Sequence, residues 1–174
     1  LMKFKKYQFK TVKSTNDIAI KKIKSGISSG IIIADNQTKG RGQYGKKWIS
    51  FKGNLLMSIF FEINTKKSIK DITLKNCEII KKTIQNFTSK KIKIKPPNDL
   101  LINKNKICGI LQEIFFQNNK KFLVVGIGLN IVKSPQIIKY PTIYLNKYTL
   151  KKVSKFTLFR SIKYSYEKKI KQLI

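Results

Sequence analysis

Histidine is absent from this chain of 174 residues, and cysteine, arginine and tryptophan nearly so. Without imidazole, any catalysis must proceed without the side chain best suited to moving protons near neutral pH. Cys77 and Cys108 stand alone, outside any C-x-x-C spacing, which argues against a zinc site and against a disulfide framework. No protein-held metal site is therefore expected. No stretch approaches the ~20 consecutive apolar residues of a membrane span, and the basic opening LMKFKKYQFK lacks the apolar run of a signal peptide. The chain reads as cytoplasmic, with no membrane partner. Internal repeats and linkers are missing as well, so residues 1–174 are expected to form one domain.

Acidic residues are also scarce, eight against 38 basic ones, for a formal net charge of +30. Such a charge suits a nucleic-acid face. The lysines, however, run from end to end and are interleaved with Ile and Asn, which favours a solvated lysine-rich surface and makes nucleic acid an improbable specific partner. Only Arg41 and Arg160 are arginines. Where lysine would serve, this chain uses lysine, so Arg41 points to a polar contact that needs a planar fork of donors. It lies in KGRGQYGKKW (Lys39 to Trp48), which also holds three of the nine glycines and the only tryptophan.

That segment matches two phosphate-binding patterns, G-x-G-x-x-G and, nearly, G-x-x-x-x-G-K. Both depend on a helix N-terminus directly after the loop. The next patterned segment is instead NLLMSIFFEI (Asn54 to Ile63), an apolar and aromatic run with strand character, and Lys47 stands where a P-loop needs Ser or Thr. Both patterns fail on context, yet the glycines still imply tight turns or close approach to a ligand.

Elsewhere, Ser14 before DIAIKKIK is expected to cap a helix running to about Lys24, with Asp17 at the capping-box position. IIIAD (Ile31 to Asp35) reads as a buried strand. Ser68 and Asp71 open a second helix carrying Cys77, Ile80, Ile84 and Phe87 on one face. KIKIK (Lys91 to Lys95) alternates as a strand up to Pro96-Pro97. LLINKNKICGILQEIFF is expected to be two strands around a turn at Asn103 to Asn105, and QNNKK turns the second into FLVVGIGLNI (Phe122 to Ile131). A last helix after Ser154 places Phe159, Ile162, Tyr166, Ile170 and Leu173 on one face. The fold class is α+β, a mixed, largely antiparallel sheet with packed helices.

PNDL (Pro97 to Leu100) ends a strand with an amide and a carboxylate, either as an Asx turn or as a pair able to hold a ribose or metal-nucleotide. Gly126 and Gly128 in GIGLN weaken a strand interior, which implies close approach of another group, with Asn130 as a polar residue at the strand's end.

Taken in series, STN at 14 to 16, Gln37, KGRGQYGKKW, GNLLMS, KPPNDL, NKNKICGIL and VVGIGLN resemble the catalytic domain of biotin protein ligases, from about Val12 to Asn130. The resemblance implies the class II synthetase-like fold of biotin and lipoate ligases. It also implies a two-step, AMP-forming reaction: biotin and MgATP give biotinyl-5'-adenylate and pyrophosphate, and the acyl group then passes to a lysine of biotin carboxyl carrier protein, an acetyl-CoA carboxylase subunit. By the same correspondence Lys106 bridges the biotin carboxylate and the α-phosphate. Ser14, Thr15, Asn16 and Gln37 face the ureido ring. Arg41, Gly42 and Gln43 belong to the loop over the ligand, with Arg41 counted among the catalytic groups. Trp48 stacks near adenine, and Asn98, Asp99 and Asn130 approach the nucleotide. Biotin, ATP and Mg²⁺ are the implied ligands.

The chain departs from the family at Gln43 and Lys46, where Arg is common, and at Pro96, often Trp. The match fades beyond Asn130, and neither an N-terminal DNA-binding helix-turn-helix nor the family's C-terminal SH3-like barrel is expected within the chain. Two other readings remain open: a lipoate-type ligase of the same fold, and a basic nucleic-acid-binding protein without catalysis.

Overall fold

The computed structural model describes residues 3–137 and 139–170. Seven strands form one sheet in the order β1-β2-β3-β7-β6-β5-β4. They are β1 (Lys6–Val12), β2 (Ser29–Gln37), β3 (Leu55–Glu62), β4 (Ile92–Lys95), β5 (Asp99–Ile102), β6 (Asn105–Gln117) and β7 (Lys120–Leu129). The helices are α1 (Thr15–Lys24), α2 (Ile69–Gln85) and α3 (Lys155–Lys169). Every strand pairing is antiparallel except β1 with β2. The mixed, largely antiparallel α+β class expected from the sequence is the one observed.

Period-two alternation divides the sheet into two faces. Ile31, Ile33, Met57, Ile59, Val125 and Ile127 point to one side and are buried with Ile72, Ile80 and Ile84 of α2 and with Leu158, Ile162 and Tyr166 of α3. Ile32, Phe60 and Val124 point to the other side, under Ala19 and Ile23 of α1. The second cluster is small because one short helix covers that face. The uncovered part of the face is where the site lies.

The two hairpins have the expected geometry. Asn103 and Lys104 take φ of 49° and 64°, Asn118 and Asn119 φ of 49° and 60°. Two consecutive residues of positive φ give the turn whose twist matches antiparallel strands. Ser68 accepts a hydrogen bond from the Asp71 N–H and Ser154 one from the Thr157 N–H, so α2 and α3 start as their caps predict. Of the apolar faces assigned to these helices, Phe87 lies beyond the end of α2 and packs partly buried against the core. Leu173 lies outside the described residues.

Three readings need correction. The opening segment, assigned no element, contains β1. Its alternating Lys-rich pattern leaves it mostly exposed at the sheet edge, where charge discourages pairing with another chain. PNDL does not end a strand: Pro96 to Asn98 form the turn, and Asp99 begins β5. The capping box at Ser14 does not form. Ser14 holds the N-cap position with extended backbone, but its side chain makes no capping bond.

Both cysteines are fully buried thiols. Burial, with a smaller push from Asp99, raises the Cys77 thiol to about 11, and burial raises Cys108 further still. Both therefore stay protonated at pH 8. A thiol reagent at that pH is expected to label neither cysteine in the native protein and both after denaturation; fast labelling of native protein would contradict this packing.

Candidate active site

A cleft of about 240 Å³ opens on the α1 face of the sheet. Register dictates its floor. Ser58, Gly126 and Leu111 lie opposite one another across β3, β7 and β6, and Leu56, Gly128 and Gly109 form the adjacent row. Three glycines thus leave a bare trough where side chains would otherwise stand. The space is used at once: a Cβ on Gly126 would lie 2.5 Å from Asn16 Oδ1, and one on Gly128 2.4 Å from the Trp48 ring. The close approach inferred from GIGLN is with these two residues.

At the α1 end the trough is walled by an uncharged network. Gln37 Oε1 accepts from the Thr15 N–H at 2.8 Å and from Thr15 Oγ1 at 3.1 Å. Ser58 Oγ lies 2.7 Å from Thr15 Oγ1 and 2.5 Å from Asn16 Oδ1. Asn16 Oδ1 can only accept, so the single Ser58 proton goes there and the Thr15 hydroxyl proton is shared between Ser58 Oγ and Gln37 Oε1. The Asn16 amide in turn donates to Leu111 O at 3.3 Å and to Glu113 at 2.6 Å. Ser14, freed from capping, is buried at the same end and lines the cleft.

The glycine loop crosses above. It is a small hairpin, held by a Gly42 N–H to Lys46 O bond of 2.6 Å, a Trp48 N–H to Gly40 O bond of 2.9 Å and a bridge between Arg41 and Lys47. A single 3-10 turn over Gln43–Gly45 forms its tip, with Gln43 lining the cleft. No helix comes after it, as the context of the phosphate patterns indicated. Arg41 makes two hydrogen bonds to Glu113, at 3.0 and 3.1 Å, and one to Asp17. Burial lowers the affinity of this guanidinium for its proton, but the two carboxylates outweigh it and the net shift is upward.

At the other end Lys106 Nζ lies 2.8 Å from Asp99 Oδ1, and the rings of Trp48 and Tyr140 have their centres 5.5 and 5.6 Å from it. Asp99 Oδ1 nonetheless lacks a well-directed hydrogen bond, so the contact is an ion pair rather than an aligned donor–acceptor pair. Lys106 reaches the cleft because of an irregularity. Gly109 faces the cleft, so strict alternation would send Lys106 to the opposite face; a register shift pairs Leu100 with Cys108 and Leu101 with Lys106, skipping Ile107. Ile107 and Cys108 both enter the core, and Lys106 turns to the cleft. Its backbone is pinned by bonds of 2.9 Å to Pro141 O and from the Ile143 N–H.

Asn98 is latched to β6, donating from its amide to Ile110 O at 2.8 Å, and stands at the cleft beside Asp99. Asn130 is not brought into the cleft. It is buried, donates to Ile143 O at 3.3 Å, and lines a small adjoining cavity beside Trp48 and Lys106. The Trp48 indole N–H is buried without a hydrogen-bond partner.

Chemically, one end can match a compact uncharged group that both donates and accepts, and the other can hold an anion against lysine. A model of the biotin/lipoate A/B protein ligase family matches residues 8–130. The chain belongs to that family. Among curated relatives, the Bacillus subtilis bifunctional ligase/repressor BirA is 33% identical over 109 residues, which is 60% of this chain and 33% of that protein. Biotin–protein ligase 2 of Arabidopsis thaliana is 31% identical over 124 residues, 68% of this chain and 38% of that protein. The chain thus spans between a third and two fifths of the length of these relatives. The solved Aquifex aeolicus biotin protein ligase in complex with biotin and ATP superposes with a TM-score of 0.80 at 28% identity, covering 97% of this chain and 71% of that one.

Sequence reasoning did not single out Ser58, Glu113, Lys95 or Tyr140, all four now at the cleft or bonded to its wall. Ser58 had a signal, being the lone hydroxyl inside an apolar strand, and Glu113 was one of eight acids. Tyr140 had none, since the segment that carries it has no periodic pattern.

Proposed function

We propose that this chain activates biotin with ATP as biotinyl-5'-adenylate and transfers the biotinyl group to a lysine of a biotin carboxyl carrier protein. Family membership supports the ligase class. The observation that carries the substrate is the network of Thr15, Asn16, Gln37 and Ser58 at the closed end of a glycine trough, with Ser14 beside it. A urea, with two donors and one acceptor oxygen, matches such a wall. The dithiolane of lipoate carries no donor and only weak sulfur acceptors, so it offers such a wall much less than a urea does.

In the first step a biotin carboxylate oxygen attacks the α-phosphorus and the bond to the pyrophosphate oxygen breaks. Two anions must approach each other, and Lys106, deployed between the trough and Asp99, supplies the positive charge between them. Trp48 and Tyr140 form the aromatic wall of the nucleotide end, with Asn98 at the turn beside it. Among the described residues no cluster of three His, Cys, Asp or Glu could hold a metal by itself. Mg²⁺ would be carried mainly by the phosphates of ATP, with Asp99 the carboxylate at that end of the cleft able to reach it, and would screen the triphosphate charge. In the second step the carrier's amine attacks the acyl carbon, AMP leaves, and the amine loses a proton.

Incorporation of labelled biotin into a carrier domain in the presence of ATP tests the whole reading, and a parallel titration with lipoate should show no saturable binding. The +30 charge gives a further expectation, since carriers of this family tend to be acidic. Electrostatic steering should make transfer to the carrier more salt-sensitive than adenylate synthesis. Equal salt sensitivity of the two steps would show that the surplus charge does not guide the partner.

A further inference from the structure

Arg41 is one of two arginines in a chain of 38 basic residues, and it meets two of only eight carboxylates. Glu113 engages the guanidinium through both of its oxygens, and Oε2 also accepts from the Asn16 amide at 2.6 Å. One carboxylate therefore ties the loop to the hydrogen-bonded wall of the trough. Asp17, one turn into α1, takes the other arm of the fork. A cation matched by two carboxylates within hydrogen-bonding distance has little charge left for a ligand, and the three groups together carry a net charge of −1. Anion binding is better served by lysines that line the cleft without such partners, Lys46, Lys47 and Lys95.

We infer that Arg41 is a strut of the glycine loop rather than a receptor for the ligand's anionic groups, and that Asp17 and Glu113 are positioning residues that clasp it. The ligand side of this inference rests on the biotin reading above. The clasp holds the hairpin over the trough and transmits the state of the Asn16–Ser58 wall to the loop through Glu113. It also explains why arginine is kept here. Lysine offers a single ammonium and cannot bridge two carboxylates in fixed directions.

The test compares Glu113→Gln, Asp17→Asn, Arg41→Lys and Arg41→Ala with the wild type. In ligand-free protein, trypsin should cut after Lys46 and Lys47 roughly three- to tenfold faster in all four variants, the partial exposure of the clasp keeping the effect below that of a buried pair. Thermal midpoints should stay close to wild type; should Glu113→Gln fail to fold, Asp17→Asn, at the more exposed carboxylate, decides. Unchanged cleavage rates would overturn the clasp whatever the ligand proves to be. Biotin and adenylate titrations then separate strut from receptor by sign. A strut predicts weaker binding when either acid is neutralised, and Arg41→Lys no better than Arg41→Ala. Tighter binding in the acid variants, from a released guanidinium, would overturn the inference. Absence of biotin binding by the wild type would instead refute the substrate reading and leave the proteolysis to judge the clasp.

Discussion

Lys106→Ala is expected to slow adenylate formation by about 10² to 10³, the ~3 to 4 kcal/mol that a preorganised donor to transition-state charge contributes. The ammonium lies 2.8 Å from Asp99 and its backbone is fastened on both sides by residues 141 and 143, so it is positioned before any ligand arrives. The substitution removes the cation between two reacting anions and leaves the Asp99 carboxylate unbalanced at the same place. Biotin should still bind in part, because the Thr15–Ser58–Asn16 wall is untouched. Pyrophosphate release measured within threefold of wild type would remove Lys106 from this role. Adding Asp99→Asn to the variant should recover part of the loss if the orphaned carboxylate contributes to it.

Substituting the trough glycines should divide the two ends of the cleft. In Gly126→Ala the new methyl would lie 2.5 Å from Asn16 Oδ1, closer than nonbonded atoms tolerate. Asn16 is short, buried and held by Ser58, Leu111 and Glu113, so it can move only by breaking some of those bonds. One or two lost buried hydrogen bonds correspond to roughly ten- to a hundredfold weaker biotin binding. ATP affinity should change little. In Gly128→Ala the methyl meets the Trp48 ring at 2.4 Å, and the expected pattern reverses, with ATP weakened and biotin spared. Calorimetric titration of both variants with both ligands checks this, and equal losses for the two ligands would mean that the trough does not separate a biotin end from a nucleotide end.

Much of the fold was legible because it rests on local rules. Ser68 and Ser154 cap their helices, the Asn-containing turns take positive φ, and the apolar runs of β2 and β3 are buried on both faces. The misreadings occurred where a residue had two uses. Ser14 and Asp17 satisfy a capping box by spacing, yet Ser14 lines the cleft and Asp17 pairs with Arg41. β1 escaped notice because an exposed edge strand rich in lysine has little apolar signal to offer. Asn130, which the family resemblance implied would approach the nucleotide, is buried, donates to Ile143 O and lines the small cavity it shares with Trp48 and Lys106.

By itself the sequence determined which residues are special, since scarcity and local pattern are properties of the chain: one tryptophan and one arginine in a glycine-rich loop and two glycines in a strand, whereas Lys106, one lysine among many, was marked out only by the family resemblance. Only the tertiary structure decided what those residues face. Cross-strand register placed Gly109, Gly126 and Gly128 side by side as a trough, and a shift of one residue would have scattered them over both faces of the sheet. The bulge at Ile107 turned Lys106 out of the core, and the long-range meeting of α1, β6 and the loop gave Arg41 two carboxylates from positions 24 and 72 residues away. Side-chain direction in a sheet depends on pairing between distant segments, and no window of sequence contains that information.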